Sequence, residues 1–163
     1  MFLDKRKRED WESLCLLIRE VENLNGDGIY QLPRLKVGVY ALSEGSLDNT
    51  SEMKIFRYRF DGASEVCMDD TEFRQDIISL KFLGLVNLTR EKRNEMKTEH
   101  YLIKTTSNGK ALASEAEKTL SNESLKALKE VAKDLGNENL TVIDLMNKHG
   151  KNWMEKYTKY LIQ

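Results

Sequence analysis

The chain has 163 residues, 40% apolar and 33% charged, with nine Gly and one Pro: enough apolar material for one folded domain with a small appendage, and too little Gly and Pro for a disordered or collagen-like chain. Lys and Arg total 26 against 27 Asp and Glu, a net charge of −1, so affinity for phosphate has to come from a local concentration of cations. Cys15 and Cys67 form no CxxC pair and only His100 and His149 offer imidazoles, which argues against a zinc site and fits a reducing, cytoplasmic setting with cysteine as a small hydrophobe.

In chain order, MFLDKRKREDW is charged from its fourth residue and lacks the apolar run of a signal peptide. No apolar string approaches the ~18 residues that span a membrane. KRKR at 5–8, with acids at 4, 9 and 10 beside it, reads as a frayed, solvated terminus in preference to a nucleic-acid arm. The first helix is expected in DWESLCLLIREVENL, where Trp11, Leu14, Leu17, Ile18 and Val21 recur at three- and four-residue steps and Leu24 closes the stripe. Asp10 serves as its N-cap, and NGDG at 25–28 stops it.

A second helix, about 32–43, opens at Pro33, whose missing N–H would be unpaired there anyway. Leu32, Leu35, Val39 and Leu42 form its face, with Tyr40 beside them. EGSLDNTSEM at 44–53 is a polar loop. KIFRYRF then alternates, Ile55, Arg57 and Arg59 against Phe56, Tyr58 and Phe60, with the period of a half-exposed strand. After DGASEV, Asp69 or Asp70 caps a third helix that carries Phe73, Ile77, Ile78 and Leu80 inward. Glu72 is the capping-box partner of Asp69, and Gly84 ends the helix in a left-handed conformation.

LVNL at 85–88 and YLIKTT at 101–106 pair as strands around the charged connection 89–100. Ser107 or Asn108 opens a helix to about Leu120, and Ser121 or Asn122 opens another that ends near LGN at 135–137. Thr141, with Asp144 three later, starts a short helix that stops at HG. A last helix in KNWMEKYTKYLIQ places Trp153, Tyr157, Tyr160 and Leu161 on one side.

Two helices, a strand, a third helix and a two-stranded ribbon form the order of a winged helix-turn-helix domain. The expected fold is therefore α+β: a winged helix-turn-helix domain over 9–106, followed by a C-terminal helical region over 107–163 that packs on it or dimerises. FLGLV at 82–86 is the hinge between third helix and ribbon. YLIKTTSNGKALASEA resembles the ribbon's return strand followed by the x-T-x-x-G-x-x-L of many bacterial and archaeal winged-helix regulators. Over roughly 10–160, the succession of LPRLKVGVYAL, YRFDG, FLGLV, a ribbon and small helices resembles the YwgA-like group and, more loosely, the Panacea-type antitoxin domains. The polar loop at 44–53 and the charged N-terminus depart from that pattern. The resemblance implies a winged-helix scaffold in a regulatory or defence-linked role, and brings no catalytic residue.

The local cation concentration lies in the ribbon. Lys81, Arg90, Lys92, Arg93, Lys97, Lys104 and Lys110 face three glutamates between 81 and 110, a net +4. A phosphate-gripping wing needs such asymmetry, and Arg90, Lys92, Arg93 and Lys97 are its candidate contacts. Charged ribbon ends also serve solubility and block edge pairing. The third helix would read bases with Arg74, Gln75 and Lys81, although Asp69, Asp70, Glu72 and Asp76 on the same stretch repel phosphate. Between 44 and 80 nine acids and four bases make an acidic surface that suits docking of a basic protein. Arg57 and Arg59 among aromatics can form a stacking platform for single strands, but a packed aromatic face is the plainer reading.

Trp153, Tyr157, Tyr160 and Leu161 either pack on the helices at 109–134 or form a homodimer interface. No Gly-rich phosphate loop is present, and two histidines on unrelated segments support no nucleophilic triad. The favoured reading is a cytoplasmic, non-enzymatic regulator that binds double-stranded DNA without a cofactor or metal. The alternative is an antitoxin-like or defence-associated protein-interaction module that keeps the scaffold, does not bind DNA, and docks through 44–76. One scaffold hosts both.

Overall fold

The structure, a computed structural model, describes residues 4–43, 55–58, 70–93 and 97–149. Among them six helices and a three-stranded antiparallel sheet make an α+β fold: α1 Lys5–Asn25, β1 Ile29–Tyr30, α2 Leu32–Ala41, α3 Thr71–Phe82, β2 Val86–Glu91, β3 His100–Thr105, α4 Ser107–Thr119, α5 Asn122–Leu135 and α6 Val142–His149. The sheet order is β1-β3-β2. Among the described residues no helix is long and apolar enough to cross a membrane.

Helix α1 starts earlier than its apolar pattern suggests. Asp4 accepts the Arg6 N–H at 3.0 Å and caps it, so the basic run 5–8 is its first turns and not a frayed terminus. Asp10 is no cap: it lies inside the helix, 3% exposed, and accepts the backbone N–H of Arg57 at 3.2 Å. Gly26, at φ 72, ends the helix. Leu14 to Ile18 are all buried, because α1 is wrapped by α4, α5 and β3. Leu24, expected to close the stripe, is exposed.

Among the described residues, KIFRYRF supplies no strand to the sheet. Of that segment, residues 55–58 form only an isolated bridge between Ser43 and Phe56. Ile55 and Phe56 both donate their N–H groups to the Leu42 carbonyl, at 2.8 and 3.0 Å, which bends the backbone away from an extended ladder. Ile55, Phe56 and Tyr58 are all buried and Arg57 alone is exposed, so the expected two-residue alternation fails across these residues. Arg59 and Phe60 lie outside the described residues. The third strand is instead Ile29–Tyr30, paired with Ile103 and Leu102. Gly28, at φ 122, lets the chain reach β3, since a Cβ there would come within 2.4 Å of the Ile103 carbonyl oxygen.

Strands β2 and β3 pair from Val86 with Thr105 to Glu91 with His100, a longer ladder than the apolar ends alone suggest. The joint between α3, the ribbon and α4 is tightly bonded. Gly84 turns the chain at φ 72, as expected. Thr106 donates its hydroxyl to the Gly84 carbonyl at 2.6 Å and its N–H to the Leu85 carbonyl at 3.1 Å. Its Oγ1 also accepts the Gly109 N–H, capping α4 one residue before the expected position.

Helices α4 to α6 share one hydrophobic cluster with the rest. Ala113, Ala116, Leu128, Val131, Leu135 and Leu145 join Leu17, Val39, Phe73 and Ile103. Ser121 caps α5, and Thr141 and Asp144 bond reciprocally at the start of α6, both as expected. Arg34 of α2, 7% exposed, reaches the end of α5 and donates to the carbonyls of Leu135, Asn137 and Leu140. A guanidinium fork suits this duty, because the last carbonyls of a helix have no partners within it.

Candidate nucleic-acid interface

Helix α3 buries Phe73, Asp76, Ile77 and Leu80, spaced at three and four residues. The opposite face is therefore set: Thr71, Glu72, Arg74, Gln75, Ile78, Lys81 and Phe82 are all exposed. Ile78, expected inside, is 51% exposed. It follows Ile77 by about 100° around the helix, which carries it out of the buried stripe. Phe82 and Leu83, at 85% and 57% exposure, extend the apolar surface to the end of the helix. The sequence offered one signal for this: the Phe73–Ile77–Leu80 repeat leaves Ile78 and Phe82 aligned with each other and off that stripe.

The described carboxylates of this helix are all held in ion pairs, Glu72 while remaining exposed. Asp70 is paired with Lys36 of α2 and Arg74, both at 2.9 Å. Glu72 is bound by Lys7 at 2.6 Å. Asp76 is buried, receives the same Lys7 at 3.1 Å, and accepts the Tyr58 hydroxyl. Asp69 lies outside the described residues. Partial burial disfavours the charged form of Lys7, but its hydrogen bonds to Glu72 and Asp76 outweigh that and hold its pKa above the ordinary value. Burial, reinforced by the Asp76 charge, pushes the Tyr58 pKa well up, so its hydroxyl stays protonated and donates. Behind them Asp10 is raised to about 6, chiefly by desolvation. Lys7 of the basic N-terminal run thus bridges Glu72 and Asp76, and Lys36 of α2 holds Asp70.

On the ribbon, Arg90, Lys92 and Lys97 are exposed. Arg90 lies over the ring of its cross-strand neighbour Tyr101, 5.3 Å from the centroid. Arg93 differs from the other three wing candidates. Its guanidinium meets Asp27 at 2.5 Å, Glu91 at 2.9 Å and Glu138 at 3.6 Å, and lies 4.6 Å from the centre of the Tyr30 ring. It fastens the ribbon to the turn after α1 and to the segment between α5 and α6. Lys104 also leans toward Asp27, at 3.8 Å.

The remaining candidates divide as follows. The described part of the acidic stretch 44–76 holds three carboxylates, Asp70, Glu72 and Asp76, all paired. Its other acids, the loop 44–53, Cys67 and the aromatic stripe of Trp153, Tyr157, Tyr160 and Leu161 lie outside the described residues. Among the described residues no cluster of three or more His, Cys, Asp or Glu could hold a metal ion. Cys15 is buried in the core, which raises its thiol to about 12. The sequence reading missed Lys7 and Arg34, whose partners lie 65 to 69 and 101 to 106 residues away. The chain gives no significant match to any protein-family model, curated protein or solved structure.

Proposed function

We propose that this chain is a non-enzymatic regulator on a winged-helix scaffold that binds double-stranded DNA, with α3 in the major groove and the β2–β3 ribbon as a phosphate-gripping wing. The order α1-β1-α2-α3-β2-β3, with the first strand laid against the return strand of the ribbon, supports the winged-helix assignment. The observation that carries the reading is the outer face of α3. It shows Arg74, Gln75 and Lys81 while its described carboxylates are drawn into ion pairs, and a ribbon bearing exposed Arg90, Lys92 and Lys97 follows at once. Cations so placed displace counterions from a duplex.

A mobility shift with a mixed duplex pool across a salt series tests it. The expected complex weakens steeply with salt. Arg90→Glu/Lys92→Glu lowers affinity at least tenfold and reduces the log–log salt slope by about 2, roughly 0.9 for each phosphate no longer neutralised. No shift at low salt would refute DNA binding.

A second reading, a protein-interaction module of antitoxin-like or defence-associated type, is favoured by one observation. Ile78, Phe82 and Leu83 form an exposed apolar run, and contiguous apolar patches often mark protein contacts. A complex formed there would barely respond to salt.

A further inference from the structure

Gln75 and Ile78 stand three residues apart on the outer face of α3, so they are neighbours, about 5–6 Å between Cβ atoms. Successive base pairs rise about 3.4 Å, which puts the two side chains within reach of adjacent edges in a major groove. The Gln75 amide bonds no other described residue. Its paired donor and acceptor match the N7 acceptor and N6 donor of adenine. Ile78 presents half of its side chain to solvent, and the apolar feature of a major-groove edge is the thymine C5-methyl. Arg74, the residue type that selects guanine, spends its Nε–H on Asp70 at 2.9 Å. Asp70 is held in turn by Lys36, which draws the guanidinium toward the protein.

We propose that α3 reads an A·T step in duplex DNA, Gln75 through the adenine edge and Ile78 through the thymine methyl. This rests on the DNA-binding reading above and specifies the sequence it selects.

The test selects duplexes from a randomised pool with the full chain, then replaces thymine by uracil, which lacks the methyl, at the selected step. The expected pool is enriched in an A·T step. Uracil weakens wild-type binding by about fivefold or more, as removal of a specific base interaction does. Ile78→Ala binds the thymine and uracil duplexes equally, and Gln75→Ala loses the adenine preference. Both residues are exposed, so unchanged thermal unfolding and an unchanged salt slope show that the fold and the wing are intact. Duplex binding without A·T enrichment, or a wild type indifferent to uracil, overturns this inference and leaves the DNA-binding reading standing. No duplex binding at low salt overturns that reading first and the inference with it.

Discussion

Gly109 and Leu85 meet so closely that no side chain fits between them: a Cβ on Gly109 would stand 2.0 Å from the Leu85 carbonyl oxygen. The contact joins the first turn of α4 to the root of the ribbon, and Thr106 fastens the same two backbones with its own hydrogen bonds. The T-x-x-G spacing of TSNG is thereby explained: the threonine caps, and the glycine lets a carbonyl approach.

Gly109→Ala is expected to destabilise the fold by about 1–3 kcal/mol. The overlap is with backbone, which yields little, and it outweighs the propensity gain of roughly 0.5–1 kcal/mol that alanine brings to a helix. Urea unfolding of the two chains measures it, and an alanine variant as stable as wild type would mean that the joint is loose.

The Arg93 ion pairs change how the wing has to be tested. Arg93→Glu would place a further carboxylate among Asp27, Glu91 and Glu138. It should lower stability by about 1–2 kcal/mol, roughly 2–8 °C in Tm for a chain of this size. Arg90→Glu/Lys92→Glu, which gives up only the exposed stacking of Arg90 on Tyr101, should lower Tm by clearly less. Scanning calorimetry separates the two, and equal losses would rule out a structural role peculiar to Arg93.

Arg34→Met should cost about 2–4 kcal/mol, because carbonyls at the end of α5 lose their buried donors. Arg34→Lys should restore less than half of this, since a single ammonium cannot span Leu135, Asn137 and Leu140. Denaturation midpoints of the three chains decide it, and full rescue by lysine would reduce the role of Arg34 to charge alone.

Asp10 gives a pH dependence of known sign. Its folded-state pKa, raised to about 6 by burial, lies above the unfolded value, so the native state holds the extra proton between them. The contribution of Asp10 to stability is therefore greatest below pH ~4 and is lost as pH rises through 6, on the order of 3 kcal/mol in all. Asp10→Asn keeps an acceptor for the Arg57 N–H and removes the titration. The stability difference, wild type minus variant, should fall between pH 4 and 6 and stay flat above 7. A flat difference throughout would mean that Asp10 is solvated in the folded state.

Much of the chain was legible from local chemistry. Gly26 and Gly84 stop their helices, Ser121 caps α5, and Thr141 with Asp144 opens α6, because each acts on backbone within three residues of itself. The ribbon and its exposed Arg90 and Lys92 were equally readable. The third strand was not. Two residues carry no periodicity, and the alternation of KIFRYRF drew the assignment away from Ile29–Tyr30. At the candidate site, Arg74, Gln75 and Lys81 emerged on the outer face as expected, but the pairing of the acids beside them was not readable. Their partners Lys7 and Lys36 come from α1 and α2, and a charge count along one segment cannot register such pairing. The ion pairs of Arg93 with Asp27 and Glu138 escape such a count for the same reason.

The Arg93 nest also bears on what binding would cost. The far end of the ribbon, just past β2, is held by contacts to Tyr30, Asp27 and Glu138 before any ligand arrives. Side-chain and loop ordering is one of the main free-energy penalties of association. With that end immobilised and the other joined to α4 at Gly109, the penalty would fall chiefly on exposed long side chains, Lys92 and Lys97 above all, since Arg90 already lies over Tyr101. The ribbon would thus meet a duplex as a bar fastened at both ends, with only its side chains left to order.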